Sequence, residues 1–170
     1  GGNQIISNSA NPRLRHAYIK YQNILAGQTW TTFMNTSALP ETSDYAGATV
    51  GIAFSRQGQL RYTMGNFQFS IENPETWGGD TTNDDIPDVI AKYTFKGDWG
   101  NVSISGLGRS LTTLTGNSET TFGASIAGRL KTIGKDDLRF QFHKGELGRY
   151  VSGGAAKGLY NDKVEDMTSY

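Results

Sequence analysis

From residue 59 to residue 72, every second side chain is apolar. Leu60, Tyr62 and Met64 alternate with Gln59, Arg61 and Thr63; beyond Gly65-Asn66, Phe67, Phe69 and Ile71 alternate with Gln68, Ser70 and Glu72. Period-two alternation on both sides of a Gly-Asn pair predicts a β-hairpin with one greasy face and one polar face. The pattern recurs: segments 13–21, 24–34, 56–64, 66–73, 88–95, 101–111, 120–132 and 138–150 read as eight strands. Their connections alternate in length. Gln22-Asn23, Gly65-Asn66, KGDWG (96–100) and IGKDD (133–137) are short, whereas 35–55, 74–87, 112–119 and the tail are longer. The tail segment YNDKVEDM carries a weak helical signal.

Parity along each strand assigns the faces. One set runs Leu60, Tyr62, Phe67, Phe69, Ile71, Val89, Ala91, Tyr93, Phe95, Val102, Ile104, Phe122, Ala124, Ile126, Leu130, Leu138, Phe140 and Phe142, with no charged residue inside those spans. The opposite set holds Gln59, Arg61, Gln68, Ser70, Glu72, Lys92, Thr94, Ser103, Ser105, Arg109, Ser125, Arg129, Lys131, Arg139, Gln141 and His143. A sandwich would need a second apolar layer against the first set, and the chain offers none. The apolar side is then expected to meet lipid, and a closed barrel follows because an unpaired sheet edge is intolerable there. Sorted loop lengths and strands near the roughly 9–11 residues of a tilted crossing agree with a transmembrane, antiparallel, up-and-down β-barrel. Tyr62, Tyr93 and Phe95 sit near strand ends, as an interfacial aromatic belt requires. The first strand pair resists assignment, since Arg13 and Arg15 share parity with Ala17 and Ile19. The competing reading is a soluble β-sheet binding or adhesion module whose polar face meets a partner.

Composition sharpens the choice. Hydrophobic residues make up 36% of the 170-residue chain, below the about 45–50% of globular domains. Gly is abundant at 22 residues, beside 8 Phe, 8 Tyr and 3 Trp. That suits a chain that is half polar wall and half apolar skin. Sixteen basic residues balance sixteen acidic ones, so no net field points to nucleic acid. No run approaches the roughly 18 apolar residues of a membrane helix. GGNQIISNSA at the start lacks the regions of a signal peptide and reads as a mature protein or a fragment.

Chemistry beyond transport is thin. Cysteine is absent and His16 and His143 are the only histidines, so no metal or cofactor site and no catalytic set is expected; His143 reads as a lumen residue. GLGRS (106–110) lacks the GKS or GKT of a phosphate loop, and its glycines suit a strand bend. DTTNDD (80–85) lacks calcium-loop spacing and reads as a solvated loop. The basic side chains are more telling. Arginines from neighbouring strands on one inner wall would form a positive stripe in a narrow passage, where fields focus. Arg holds a carboxylate by two-point contact and never deprotonates. The expected pore-lining cations are Arg15, Arg61, Lys92, Arg109, Arg129, Lys131 and Arg139.

The segments RLRHAYIKYQNILAGQTWTTF and LPETSDYAG, followed by RQGQLRYT and FSIENPET, resemble the DcaP-like outer-membrane porins of Gram-negative bacteria, over most of residues 13–149. The resemblance implies a homotrimeric porin in the outer membrane, embedded in lipid, that passes small anionic solutes such as dicarboxylates. It also implies that residues 35–55 fold inward as a constriction loop carrying Glu41 and Asp44, opposite the basic strip. Porins of that kind have about twice the eight strands read here, so residues 1–170 are expected to be one barrel domain or a part of one.

Overall fold

The computed structural model describes residues 14–41, 51–74, 85–113, 115–151, 159–160, 163–164 and 166–170. Eight strands follow one another in an antiparallel meander: β1 (Ala17–Tyr21), β2 (Ile24–Trp30), β3 (Arg56–Met64), β4 (Phe67–Glu72), β5 (Asp88–Gly97), β6 (Gly100–Thr112), β7 (Ser118–Lys131) and β8 (Asp137–Gly145). A hairpin of β9 (Leu159–Tyr160) and β10 (Lys163–Val164) stands apart, and β11 (Met167–Ser169) adds itself to β8. The sheet order is β1-β2-β3-β4-β5-β6-β7-β8-β11, so β1 and β11 form its two edges and the sheet does not close on itself. The fold is the all-β, up-and-down wall expected from the alternation. The helical reading of YNDKVEDM is corrected, because Tyr160 and Lys163–Val164 belong to the small hairpin.

Register matches apolar with apolar between neighbouring strands from β3 to β8. Tyr62 faces Phe69, Phe67 faces Tyr93, Ile104 faces Ile126 and Ile126 faces Phe142. These side chains lie on a face that nothing covers: Ile104 is 50% exposed, Phe95 47% and Phe142 44%. Gly128 sits under the ring of its cross-strand partner Phe140. The same register settles the first pair. Tyr21 faces Ile24 and Ile19 faces Ala26, and Ile24 in turn faces Tyr62, so Ile19 and Tyr21 join the bare apolar face. Arg15 precedes β1, is exposed and shares their parity.

The strands are staggered in a way that fixes their slope. Cross-strand partners run unbroken through Ile24, Tyr62, Phe69, Ala91, Gly106, Ala124 and Lys144. Ile24 opens β2, whereas Lys144 is the eighth residue of β8. With the short turns level, the row climbs about 23 Å along the strands for about 29 Å across them, a tilt of about 40°. Transmembrane barrels tilt their strands by about 35–45°. Along the level rim, the aromatic rings of Tyr62, Tyr93, Phe95 and Trp99 are exposed.

The polar face is the covered one. Residues 31–41 cross it, followed after the long loop by 51–55, and residues 146–151 fold back over it from the end of β8. A small core of Phe33, Met34, Ala53, Leu147, Tyr150 and Val151 packs there against Ile90 and Leu107. Those two residues are direct cross-strand partners of off-parity character on an otherwise hydrophilic wall. Among the described residues the apolar set receives no second layer, as expected; the loops supply one on the polar side instead, which the alternation did not announce. Loop lengths sort less cleanly than the alternation suggested, because β6 and β7 run on until only residues 113–117 separate them.

Turn chemistry is consistent with these hairpins. Gly65 (φ 58°) takes the left-handed first corner of the β3–β4 turn. In the β1–β2 turn that corner falls to Gln22 (φ 52°), the one non-glycine with positive φ among the described residues. Gln22→Gly is expected to stabilise the protein by about 0.5–1 kcal/mol, since it relieves a conformation that glycine adopts freely. The urea midpoint of refolded protein measures it, and an unchanged or lower midpoint would contradict the assigned strain.

Candidate functional site: a basic cleft between loop and wall

The loop segment reaches the wall through backbone groups that an extended chain leaves unpaired. Lys92 Nζ donates to the Met34 carbonyl at 3.0 Å and Ser105 Oγ to that of Phe33 at 3.1 Å. Asn35 caps the single 3-10 turn Thr36–Ala38 by accepting from Ser37 N. Its Nδ2 donates to Asn101 Oδ1 and to the Ala127 carbonyl, both at 3.0 Å. Gln141 Nε2 takes the Ala38 carbonyl and Arg139 Nη1 that of Leu39, at 3.1 and 2.6 Å. Each polar contact uses a side chain that parity had placed on this face.

Between that turn and the short-turn ends of β4 to β7 lies a cleft of about 580 Å³. The loop contributes Asn35, Thr36 and Ser37; the wall contributes Gln68, Thr94 and Asn101 together with Lys92, Lys96, Arg129 and Lys131. Four basic residues and no carboxylate line it among the described residues. Net positive charge in a partly desolvated recess attracts anions and repels cations. Ser, Thr and Asn beside it offer hydrogen bonds to oxyanions.

The seven expected cations separate into groups. Lys92, Arg129 and Lys131 meet in the cleft. Arg129 Nη2 is also 2.5 Å from Asp137 Oδ2, at a half-exposed position where such a pair contributes little. Arg139 binds Asp137 at 2.7 Å and Glu41 at 2.5 Å, holding the loop. Arg61 donates to the Trp30 carbonyl at 2.5 Å and to Gln59 at 2.9 Å. Arg109 is buried and paired with Asp88 at 3.1 Å. Arg15, beside β1, is not among the residues that line the cleft. Glu41 therefore touches a basic residue directly instead of facing the strip across a gap. Asp44, and most of the acidic 80–85 loop, lie outside the described residues. Lys96 was missed, although its parity with Lys92 and Thr94 was available.

A second polar cluster fastens residues 146–151. Asp88 Oδ2 accepts from Arg109 Nε at 3.1 Å, Arg149 Nη2 at 2.9 Å and Tyr150 Oη at 2.8 Å. Its cross-strand partner Glu72 accepts from Thr32 N at 2.8 Å, Ser70 Oγ at 2.9 Å and Gln57 Nε2. Burial, with Asp88 and Glu72 alongside, pushes the Tyr150 phenol well above its ordinary value, so it acts as a neutral donor. His143 is buried on this face against Phe33, with Nε2 at 3.2 Å from Gln141 Oε1. Among the described residues no group of three or more His, Cys, Asp and Glu side chains is placed to hold a metal.

A sloping antiparallel wall, greasy on one side and carrying folded-in loops on the other, has the architecture of part of a β-barrel wall. The chain is similar in structure to the outer membrane channel DcaP of Acinetobacter baumannii, with a TM-score of 0.77 and 22% identity over 95% of its length. It covers 51% of that channel's chain, so it spans about half the length of the protein it matches. The likeness shows a DcaP-like fold. No family model and no curated protein matches the chain.

Proposed function

We propose that this chain forms part of an outer-membrane porin, a lipid-embedded and trimeric diffusion channel for small anionic solutes such as dicarboxylates. The observation that carries the reading is the bare apolar face, continuous from Ile19 to Phe142 and sloped at a barrel's angle. Contiguous exposed apolar area beyond a few hundred Å² marks a membrane or partner surface; a barrel's tilt and the absence of charge from the apolar positions of the strands support the membrane. Residues 31–41 and 51–55 belong to the inward loop that narrows the passage. Lys92, Lys96, Arg129 and Lys131 give the passage its sign, with Arg61, Arg109 and Arg139 as further members of the basic strip. A diffusion channel needs no catalytic residues, and none are assigned.

The test is the reversal potential of the full-length protein in planar bilayers under a salt gradient. Anion selectivity is expected. Replacing Lys96, Arg129 and Lys131 together by Gln should lower the anion-to-cation permeability ratio by about 3–10-fold. A cation-selective wild type, or a ratio indifferent to the three substitutions, would remove the anion reading.

A further inference from the structure

Residues 146–151 leave β8 through two glycines in the left-handed region, Gly145 (φ 121°) and Gly148 (φ 49°). A Cβ at Gly145 would stand 2.2 Å from the Phe122 carbonyl oxygen. The segment then docks by a few discrete contacts. Leu147 sits over Gly123, where a Cβ would lie 2.6 Å from Leu147 Cδ2. Arg149 and Tyr150 both reach Asp88 Oδ2, and Gln57 Nε2 donates to Tyr150 Oη at 2.8 Å. Phe54 N donates to the Tyr150 carbonyl at 2.9 Å, and Val151 bridges to Ala53.

Besides sharing the small core with Ile90 and Leu107 through Leu147, Tyr150 and Val151, the segment covers hydrophilic groups. Arg109 is 2% exposed, and its Nη1 only grazes the Leu147 carbonyl at 3.5 Å. Arg109 Nη2, Arg149 Nε and Nη1, Asp88 Oδ1 and Thr121 Oγ1 are buried without a protein hydrogen-bond partner. Thr121 is the cross-strand neighbour of Arg109. Covering a wall that holds more donors than the cover can use penalises the docked state. Ser125 Oγ and His143 Nδ1 are two further such atoms on the covered face, but the donors of Arg109 and Arg149 and the free oxygen of Asp88 concentrate the shortfall at this segment.

We propose that residues 146–151 are a releasable strap: docked, it hides Arg109 and narrows the passage; lifted about its glycines, it opens that part of the wall to the lumen. The proposal rests on the channel reading given above. Residues 1–170 contain no cysteine, so the test on the full-length protein compares each introduced cysteine with the unsubstituted parent under the same labelling. Arg149→Gln with Tyr150→Phe removes the strap's side-chain pins to Asp88 and Gln57, keeps its backbone bonds to Ala53 and Phe54, and leaves the Asp88–Arg109 pair intact. Ala53→Cys with Val151→Cys joins bridge partners, whose spacing suits a disulfide. The unpinned channel is expected to show a conductance level about twice that of wild type. The oxidised cysteine pair should be held at the lower level until reductant is added. Thr121→Cys should react with a water-soluble maleimide about ten-fold faster in the unpinned background. Equal conductance in unpinned and locked channels, with equal Thr121→Cys rates, would overturn the strap. Absence of conductance in every form, wild type included, would instead remove the channel reading, and the Thr121→Cys rates would still decide whether the strap lifts.

Discussion

Ile104→Arg is expected to cost about 2–4 kcal/mol of stability in a bilayer, the penalty for a cation at mid-height of a lipid-facing strand. Ile104 is the fifth residue of the thirteen in β6. On a strand tilted by about 40° that depth is near the centre of an apolar band about 25 Å tall. Its cross-strand neighbours are Tyr93 and Ile126, both exposed on the same face. In water the same change at a half-exposed position would fall within about ±0.5 kcal/mol. The two solvents therefore give different magnitudes for one substitution. Urea unfolding of full-length protein refolded into vesicles, followed by heat-modifiable gel mobility, reads the difference, with Ile104→Val as the size control. An arginine variant that unfolds at the wild-type urea concentration would mean that hydrocarbon does not touch this face.

The two sides of the wall differed in how well the sequence declared them. The outer side is legible because period two is imposed by the pleat and sharpened by a solvent that accepts no charge. Phe69, Ile104 and Phe142 all fall where parity put them. The inner side was legible in sign and not in burial. Gln59, Ser70, Lys92 and His143 were correctly placed on it, yet they are covered by loops with no periodicity of their own. One trace of that docking was present: Ile90 and Leu107 are apolar against the parity of their strands. Two apolar residues opposite one another on a watery wall need a cover, and Leu147 and Phe33 help to supply it. The ends of β6 and β7 were read short for a related reason. Towards the long-loop end Ser118, Glu119 and Thr120 are polar and exposed on both faces of the strand, alternation fades through them, and the strands continue unannounced. The basic strip was read as one ladder because parity places side chains on a face and says nothing about their partners. Asp88 and the loop carbonyls decide that, and they claim Arg109, Arg61 and Arg139.

That division of labour makes Asp88 the most consequential single residue of the inner side. Asp88→Ala would leave Arg109 and Arg149 buried with no carboxylate, and removing one partner from a buried charge cluster costs about 3–5 kcal/mol. Asp88→Asn keeps an oxygen for the guanidinium and phenol donors but withdraws the charge, so an intermediate loss is expected. Arg149→Gln should be milder than either, because the carboxylate keeps Arg109 at 3.1 Å. Pairing Asp88→Asn with Arg109→Gln should recover part of the loss, since the stranded cation leaves with its counter-charge. Urea midpoints of the four variants in vesicles give the order directly. The order has a bearing on transport: an arginine held by Asp88 fastens the inner layer, and one freed from it joins the cations that face the lumen. Should Asp88→Ala lose less than about 1 kcal/mol, water already solvates both guanidinium groups. Arg109 would then belong with Lys96 and Arg129 among the groups that meet solutes.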